Sequence, residues 1–460
     1  MAAIPNIVIV SCDQLRSFEI GCYGNPVIRT PHMDRLAAQG VRFDAACSNN
    51  PLCTPSRSNL LSGQYSRTCN GMTGNVGEPD AFRRCFPNPM LPEVLREAGY
   101  ATAVVGSWHV QPGPALCGVG HFVVPLVNNK YFGQSYYVNS MVPSPTDGWS
   151  WDFEMNNARA WIANHSDRPF FLYFNIDPPH MPLGEAPEKY TTMYSPAEVP
   201  LRPNVDDVWF DPPGDDWSTE KWFSVYLGDA FYEKLCLPET GKLPASFGLR
   251  ELTALYYGMV TLVDDQLGKL MQALADAGIA DNTIVLFTSD HGDNLGSHGL
   301  FNKLYLIEES IRIPMIYRWP AAVKPRVADR QVTSRIDIMS TLLGLLGLPV
   351  PHYVQGTDVS PVIRGEAETA RENAAYIESG FGGFGIRTRD HVCGIKVRDV
   401  SLYGHKREND EIVDDRYLFY DLRSDPYELR NLARTGEQRD VADGLREHVV
   451  RWHRTTPWLA

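Results

Sequence analysis

Short apolar runs that end in chemically active polar side chains recur along this chain of 460 residues, and they constrain its fold more than any other feature. In the first run, residues 6–10 read NIVIV, and Asp13 follows shortly after. Strands that are buried on both faces of a parallel sheet have this continuous β-branched composition. Similar runs cover residues 101–105, 168–175 and 283–287.

Helical patterns lie between these runs. Apolar residues recur at three- and four-residue spacing from Leu252 to Leu274, which predicts an amphipathic helix that closes at Gly278. A shorter helix is predicted after Thr30, which suits the N-cap position. At the other end of that helix, Gly40 is expected to adopt the left-handed conformation.

The alternation of strands and helices predicts an α/β fold whose central sheet is mostly parallel and is flanked by helices. Ligands of such sheets bind beyond the carboxyl ends of the strands. We therefore expect one shared site there. The side chains that follow predicted strands are Asp13, His109, His180, Asp290 and His291.

The pattern changes after Leu348 to short segments that are punctuated by glycine and proline, and a final helix follows. We predict a catalytic α/β domain over residues 1–365 and a smaller α+β C-terminal subdomain over residues 366–460. Residues 181–250 are rich in proline, aspartate and tryptophan. They are predicted to form an insert in the first domain that shapes the substrate site.

Acidic residues and tryptophans of this insert allow two interpretations. They could line a pocket for a cationic or sugar-like group, or they could form a solvated acidic lid with a few packed tryptophans. The sequence leaves both open. The residues concerned are Asp206, Asp207, Trp209, Asp211, Asp215, Asp216, Trp217 and Trp222.

The net charge excludes several classes of partner. The chain has 55 acidic residues against 42 lysines and arginines, a formal charge of -13. Because this surplus repels phosphate backbones and anionic head groups, we expect no binding to nucleic acid or to membrane surfaces. Residues 1–10 lack a signal-peptide pattern and no long apolar run is present, so we expect a cytoplasmic protein without a membrane span. The oligomeric state stays open.

A cysteine at the start of a predicted helix is the strongest local signal of catalysis. Residues 53–57 read CTPSR, in which Pro55 suits a first helical turn, and Gly63 suits the end of the helix. The helix N-terminus, with Arg57 one turn later, favours an oxyanion beside Cys53. A cysteine phosphatase loop would need more than the three residues that separate this cysteine from the arginine.

The Cys-x-Pro-Ser-Arg segment, followed by LLSG, resembles the signature of the sulfatase family of the alkaline-phosphatase-like superfamily. The resemblance implies the alkaline-phosphatase-like fold. It also implies that the protein hydrolyses a small-molecule sulfate ester. It also implies that a formylglycine-generating enzyme oxidises Cys53 to formylglycine, whose hydrated aldehyde is the nucleophile. Other segments resemble the family's motifs in the same order: residues 6–13, 31–43, 179–182 (PHMP), 289–296 (SDHGDNLG) and 420–432 (YDLRSDPYELRNL).

The resemblance further implies a metal centre. Asp13, Gln14, Asp290 and His291 match the family's four protein ligands, and the modified Cys53 supplies a further oxygen. Three oxygen donors and one imidazole suit a hard divalent ion, so Ca²⁺ is expected first and Mg²⁺ or Mn²⁺ next.

Further residues match the family's positions for substrate binding and proton transfer. Lys303 matches the sulfate-binding lysine, and Arg57 is expected to help it hold the substrate's oxygens. His180 matches the histidine that protonates the leaving alkoxide, with Lys303 as a second candidate. His109 aligns with the histidine that takes a proton from the second hydroxyl when the aldehyde re-forms.

One position departs from the family pattern. Most members have a lysine where this sequence has Ser107, so one cation near the substrate is missing. Asn75 could supply a neutral donor instead, as a similarly placed asparagine does in some relatives. The departure keeps open a formylglycine-dependent phosphonate monoester hydrolase or phosphodiesterase. An unmodified, metal-binding pseudo-sulfatase, in which Cys53 stays a thiol, is the non-enzyme alternative.

Overall fold

The computed structural model of the chain describes residues 4–69, 75, 86–211, 218–398 and 411–459. Its largest element is a ten-stranded sheet. In chain order the strands of this sheet are β1 Asn6–Asp13, β2 Val41–Cys47, β3 Ala101–Gly106, β4 His121–Pro125, β5 Ser135–Val138, β6 Ser144–Pro145, β7 Phe170–Pro179, β8 Thr283–Ser289, β9 Met315–Arg318 and β10 Arg326–Ser334.

Neighbouring strands follow the order β10-β2-β9-β8-β1-β7-β3-β4-β5-β6. The central strands β8, β1, β7, β3 and β4 are parallel to one another, and antiparallel pairs lie toward the two edges. The predicted α/β fold with a mostly parallel sheet is therefore confirmed. Because Cys12 of β1 pairs with Ser289 of β8, the residues that come next, Asp13 and Asp290, lie side by side.

Helices cover both faces of the large sheet. Among the described residues, no helix is both long enough and apolar enough to cross a bilayer. The α-helices are α1 Pro31–Ala38, α2 Cys53–Ser62, α3 Ser66–Cys69, α4 Leu91–Glu97, α5 Ser150–His165, α6 Glu188–Thr191, α7 Thr219–Leu227, α8 Asp229–Leu235, α9 Leu249–Asp276, α10 Glu308–Ile311, α11 Asp337–Leu346, α12 Ser360–Arg364 and α13 Arg439–Thr455. Short 3-10 helices lie at Ser17–Glu19, Gly21–Tyr23, Pro114–Cys117, Pro196–Glu198, Pro203–Asp206, Ala280–Asn282 and Ser297–Gly299.

Strand β1 shows why the first apolar run is continuous. Val8 and Val10 face a core that α5 and α9 cover, whereas Ile7 and Ile9 face a second core beneath α2, α4 and α11. All four side chains are fully buried. A strand between two helical layers needs an apolar residue at every position, because neither of its faces is exposed to water.

Four antiparallel strands form a separate small sheet near the C-terminus, as the predicted α+β character of this part requires. Helix α13 packs on it, with Val449 and Trp452 in the same apolar cluster as Phe384. The division into two domains at residue 365 stays a prediction. The strands are β11 Ala375–Glu378, β12 Gly383–Arg387, β13 His391–Val397 and β14 Ile412–Asp421.

The N-terminus of α1 is capped from a distant helix. Thr30 occupies the predicted N-cap position, but its hydroxyl accepts the backbone amide of Gly21 instead of an amide of α1. Asp264 of α9 takes that role, since its carboxylate accepts the amides of His32 and Met33 at 3.1 and 2.7 Å. A capping partner so far along the chain leaves no local pattern in the sequence.

The prediction that Gly40 is left-handed is wrong. This residue is absent from the positive-φ glycines of the described chain. The lack of a side chain at Gly40 instead allows the backbone of β9 to lie close to it, because a Cβ at Gly40 would overlap the carbonyl oxygen of Tyr317.

Replacing Gly40 by alanine should therefore destabilise the fold, since overpacking of this kind costs about 1–3 kcal/mol of the free energy of unfolding. Gly113→Ala is a matched control, because no atom lies within 4 Å of its added Cβ. We expect the denaturant midpoint of Gly40→Ala to fall below those of the wild type and the control. Equal midpoints for the two variants would contradict the close approach.

Candidate active site

Cys53 begins helix α2 and is almost fully buried. Its Sγ lies 3.2 Å from Nζ of Lys303, 3.3 Å from Nε2 of His291 and 3.8 Å from Oδ1 of Asp13. Burial, reinforced by Asp13, raises the pKa of the thiol to about 12. These side chains therefore do not activate the unmodified thiol as a thiolate, in contrast to the electropositive site of a cysteine nucleophile.

Two carboxylates face this position from adjacent strands. Asp13 ends β1 and Asp290 follows β8, and both are almost fully buried. Oδ1 of Asp290 accepts the backbone amides of Gln14 at 3.1 Å and His291 at 2.8 Å, which fixes the orientation of the carboxylate. Burial opposes its ionisation, but surrounding positive groups such as Arg57 hold the pKa of Asp290 well below its usual range.

The guanidinium of Arg57 connects the two carboxylates. Nη2 donates to Oδ2 of Asp13 at 2.7 Å, and Nε donates to Oδ2 of Asp290 at 3.3 Å. Nη1 donates to the carbonyl oxygen of Ser107 at 3.0 Å, and the whole side chain is buried. Each nitrogen thus contacts the protein itself, so Arg57 holds the site together; its contact with substrate oxygens stays a prediction.

His291 presents one ring nitrogen to the same position. Its Nδ1 donates to the carbonyl oxygen of Gly292 at 2.9 Å, so the lone pair lies on Nε2. Nε2 is 3.5 Å from Oδ1 of Asp290 and 3.6 Å from Oδ1 of Asp13. Burial lowers the pKa of His291 to about 4. The ring is therefore neutral at physiological pH, as a metal ligand has to be.

Four of these side chains form a group that fits a divalent cation. One ligand atom from each of Asp13, Cys53, Asp290 and His291 lies within 4.8 Å of the others. Here Sγ of Cys53 stands where the oxygen of a formylglycine would lie. Two carboxylates, a neutral imidazole and that oxygen make a hard donor set of the kind that Ca²⁺ and Mg²⁺ prefer.

Lys303 joins the cysteine to Gln14. Its Nζ donates to Oε1 of Gln14 at 2.9 Å and to Sγ of Cys53 at 3.2 Å. Burial alone would lower the pKa of Lys303, but the facing Cys53 and Asp13 side chains raise it. The ammonium therefore keeps its proton at neutral pH and places a fixed positive charge beside the nucleophile position.

His109 and His180 lie close enough to Arg57 and Lys303 for these cations to lower the pKa of both histidines. Burial, followed by Arg57, lowers the pKa of His109 to about 3, and burial followed by Lys303 lowers that of His180 to about 3. Nδ1 of His180 donates to the carbonyl oxygen of Met181 at 2.6 Å, which leaves the lone pair on Nε2. The ring is therefore neutral in the free protein, and its role as a proton donor stays a prediction.

Among the described residues, Ser107 contacts one cation, the Arg57 guanidinium at its carbonyl oxygen, and its side chain contacts a neutral amide. Its Oγ donates to Oδ1 of Asn128 at 3.4 Å, and its carbonyl oxygen accepts the side-chain amide of Asn175. The neighbouring Asp177 is buried, which raises its pKa, and its Oδ2 accepts the backbone amide of Asn129 at 3.0 Å. Apart from Arg57, the described groups in contact with this position are neutral, and the nearby Asp177 is acidic.

Asn75 lies at the N-terminus of helix α2. Its Oδ1 accepts the backbone amide of Thr54 at 3.1 Å and so satisfies one of the first amides of the helix. The amide NH₂ group is the part of Asn75 that could still donate to a substrate. Its role as a neutral donor stays a prediction.

The described acidic and aromatic residues of the insert include several that pack against the rest of the chain. Trp209 is buried, Asp207 pairs with Nδ1 of His298 at 2.7 Å, and Asp211 pairs with Nζ of Lys396 at 2.6 Å. These contacts give them structural roles. Asp215, Asp216 and Trp217 lie outside the described residues.

Two buried groups beneath the site were missed by sequence reasoning. Arg335 donates to the carbonyl oxygens of Ser56 at 3.1 Å and Ser289 at 2.5 Å, and thereby ties α2 to β8. Asp293 accepts the side-chain amide of Gln14. Asp293 belongs to the SDHGD segment, which could have indicated it, whereas no sequence pattern indicates Arg335.

Family models match nearly the whole chain. The Sulfatase model matches residues 5–348, and a model described as N-sulphoglucosamine sulphohydrolase, C-terminal, matches residues 296–455. An N-acetylglucosamine-6-O-sulfatase of Bacteroides thetaiotaomicron is 27% identical to this chain, over 93% of it and 82% of the relative. An arylsulfatase of Clostridium perfringens is 28% identical, over 97% of this chain and 94% of the relative.

A solved structure has the same architecture. It is that of a protein in complex with its substrate, D-glucosamine-2-N,6-O-disulfate, and it superposes with a TM-score of 0.81. The alignment covers 98% of each chain at 25% identity. The match thus extends over the large sheet and the small C-terminal sheet together.

Calcium should raise the thermal midpoint of the metal-free protein, because an ion held by these side chains binds the native state alone. At a free Ca²⁺ concentration of 100 times Kd, binding raises the free energy of unfolding by about 2.7 kcal/mol. Asp290→Asn should lose most of this increment, since it removes one charge from the donor set.

Differential scanning calorimetry of chelator-treated protein, with and without Ca²⁺, measures the effect. Asp206→Asn is the control, because Asp206 is exposed in the insert, and it should keep the increment. A full increment in Asp290→Asn would contradict the assigned site.

Proposed function

Because the chain belongs to the sulfatase family and is a sulfuric ester hydrolase, we propose that it cleaves a sulfate monoester with a formylglycine made from Cys53 and one divalent cation, Ca²⁺ first. The observation that supports this most is the convergence of Asp13, His291 and Lys303 on Sγ of Cys53. These residues come from distant parts of the chain, and a cysteine with a purely structural role needs none of them.

The names of the relatives favour a sulfated sugar as the substrate. One relative is named for N-acetylglucosamine-6-O-sulfate, and the solved structure contains a glucosamine disulfate. We therefore propose a 6-O-sulfated amino sugar as the first substrate class to test.

Residues of this chain would hold the cation and the hydrated aldehyde, the two groups that start the reaction. Asp13, Gln14, Asp290 and His291, with the modified Cys53, would bind the cation, and Arg57 pairs with both carboxylates and holds them in place. When present, the cation polarises the ester, and the hydrated aldehyde supplies a nucleophilic oxygen. Lys303 adds positive charge where the sulfate oxygens would lie.

Proton transfer to the leaving group falls to His180 and Lys303. The ammonium of Lys303 is already a donor, whereas His180 is neutral in the free protein. An anionic ester offsets the charge of Lys303, so His180 takes up a proton and gives it to the departing oxygen, which leaves as an alcohol. His109, also neutral in the free protein, accepts a proton in the step that releases inorganic sulfate.

A second candidate is a phosphonate monoester hydrolase or phosphodiesterase with the same nucleophile. The serine at position 107 favours it, because most of the family has a lysine there and the side chain of Ser107 contacts the neutral Asn128 instead. A third is a pseudo-sulfatase in which Cys53 stays a thiol and binds metal without turnover.

Mass spectrometry of the peptide that contains Cys53 tests the proposed nucleophile. In protein from the native host we expect an aldehyde or its hydrate in place of the thiol. Protein made without a formylglycine-generating enzyme should keep the thiol and be inactive, because burial leaves that thiol unactivated. Equal activity of the two preparations would contradict the proposal, and thiol alone in the host's protein would favour the pseudo-sulfatase.

A kcat/KM series separates the first two candidates. It compares a 6-O-sulfated amino sugar, an aryl sulfate, a phosphonate monoester and a phosphodiester. We expect a sulfate ester to rank first. A sulfate ester that ranks last by orders of magnitude would favour the second candidate.

The two histidines should differ in their dependence on the leaving group. His180→Ala should lower kcat by about 10²–10⁴-fold on an alkyl sulfate, whose alkoxide needs a proton. The loss should be much smaller on nitrophenyl sulfate, whose phenolate leaves unaided. His109→Ala should lower turnover of both substrates, because its step follows departure of the alcohol.

Steady-state kinetics on the matched substrates measure these effects, and Ca²⁺ binding serves as the control for an intact fold. The assignment of either histidine fails if its alanine variant turns over the alkyl sulfate within a few-fold of wild type.

A further inference from the structure

A buried acid holds the side-chain amide of Gln14 in one orientation. Its Nε2 donates to Oδ2 of Asp293, so its Oε1 faces Nζ of Lys303 at 2.9 Å. Gln14 and Asp293 are both almost fully buried. In the opposite orientation, the amide NH₂ group would face an ammonium and the amide oxygen would face a carboxylate. Both contacts would then be repulsive.

The insert orients Asp293 in turn. Oδ1 of Asp293 accepts the hydroxyl of Tyr226 at 2.6 Å and the backbone amide of Leu295 at 2.7 Å. Tyr226 is fully buried near the end of α7. Its hydroxyl therefore keeps the other carboxylate oxygen directed at Gln14.

The same tyrosine contacts two more segments of the site. Its hydroxyl accepts the backbone amide of Asn302 at 2.7 Å, and Asn302, whose φ is 61°, directly precedes Lys303. Its carbonyl oxygen accepts the amide of Leu183 at 2.6 Å, three positions after His180. One residue of the insert thus touches three segments that carry site residues.

We propose that Tyr226 is a positioning residue for the metal centre: through Asp293 it keeps Oε1 of Gln14 turned toward Lys303, beside the side chains that would hold the cation, where Gln14 can act as a further ligand. The inference rests on the proposed function, because it requires a cation at this site. It extends that function by giving the insert a second task. The segment predicted to shape the substrate pocket also sets the affinity for the ion.

Tyr226→Phe removes the hydroxyl and keeps the ring. Loss of a direct outer contact to a metal ligand weakens metal affinity by about 10–100-fold, and because Tyr226 reaches Gln14 only through Asp293, the lower end of that range applies. We expect an increase of that size in the Kd for Ca²⁺, measured by isothermal titration calorimetry on the chelator-treated full chain. The concentration of Ca²⁺ that gives half-maximal activity should rise by a similar factor.

Tyr194→Phe is the matched control. Tyr194 is buried as well, and its hydroxyl contacts Oγ1 of Thr261 at 2.6 Å and the amide of Arg29 at 2.8 Å. The control loses a comparable pair of hydrogen bonds without touching the site, so it should bind Ca²⁺ like the wild type. A control that loses affinity equally would overturn the inference, because general loosening would then explain both.

Asp293→Asn provides a second variant of the same contact chain. Its amide cannot satisfy both Tyr226 and Gln14 as the carboxylate does, so Ca²⁺ affinity should fall again. Because the two residues act through one ligand, the double variant should be little weaker than either single variant. Wild-type affinity in Tyr226→Phe would overturn the role of Tyr226, whatever the result for Asp293→Asn. If the wild type itself binds no Ca²⁺, the proposed metal centre fails instead.

Discussion

The site depends on two like charges held next to each other in the protein interior. Parallel pairing of β1 and β8 places Asp13 and Asp290 side by side, and burial makes their repulsion strong. Arg57 offsets that repulsion with Nη2 on one carboxylate and Nε on the other. Removing one partner from such a buried network costs about 3–5 kcal/mol. Because Arg57 lies on the helix that begins at Cys53, the same contact fixes the distance from Cys53 to both carboxylates.

Charge around the nucleophile is balanced before any ion binds. Arg57 and Lys303 face Asp13 and Asp290, so a divalent cation would leave the site positive and attractive to an anionic ester. Burial and the nearby Lys303 also keep His180 neutral in the free protein.

Local composition was enough to predict the parts of the fold that depend on it. The continuous apolar run of β1 indicated a strand buried on both faces, and the spacing from Leu252 indicated the long helix α9. Residues inside matching segments, such as Cys53 and Asp290, could be assigned to one site because their strands and helix meet at one edge of the sheet.

Contacts between distant segments could not be predicted in this way. Gly40 suits a left-handed cap as well as a close approach, and only the position of β9 decides between them. Asp264 caps a helix more than two hundred residues away. Tyr226 lies in an insert without a recognisable motif, so its contact with Asp293 appears only once the chain is folded.

A crystal structure of protein from its native host, with anomalous scattering from bound Ca²⁺ or Mn²⁺, tests the central claim most directly. We predict one anomalous peak in contact with Asp13, Asp290 and His291, and density at position 53 for a side chain that ends in oxygen and touches the ion. A thiol at position 53 with no ion beside these residues would contradict the proposed chemistry.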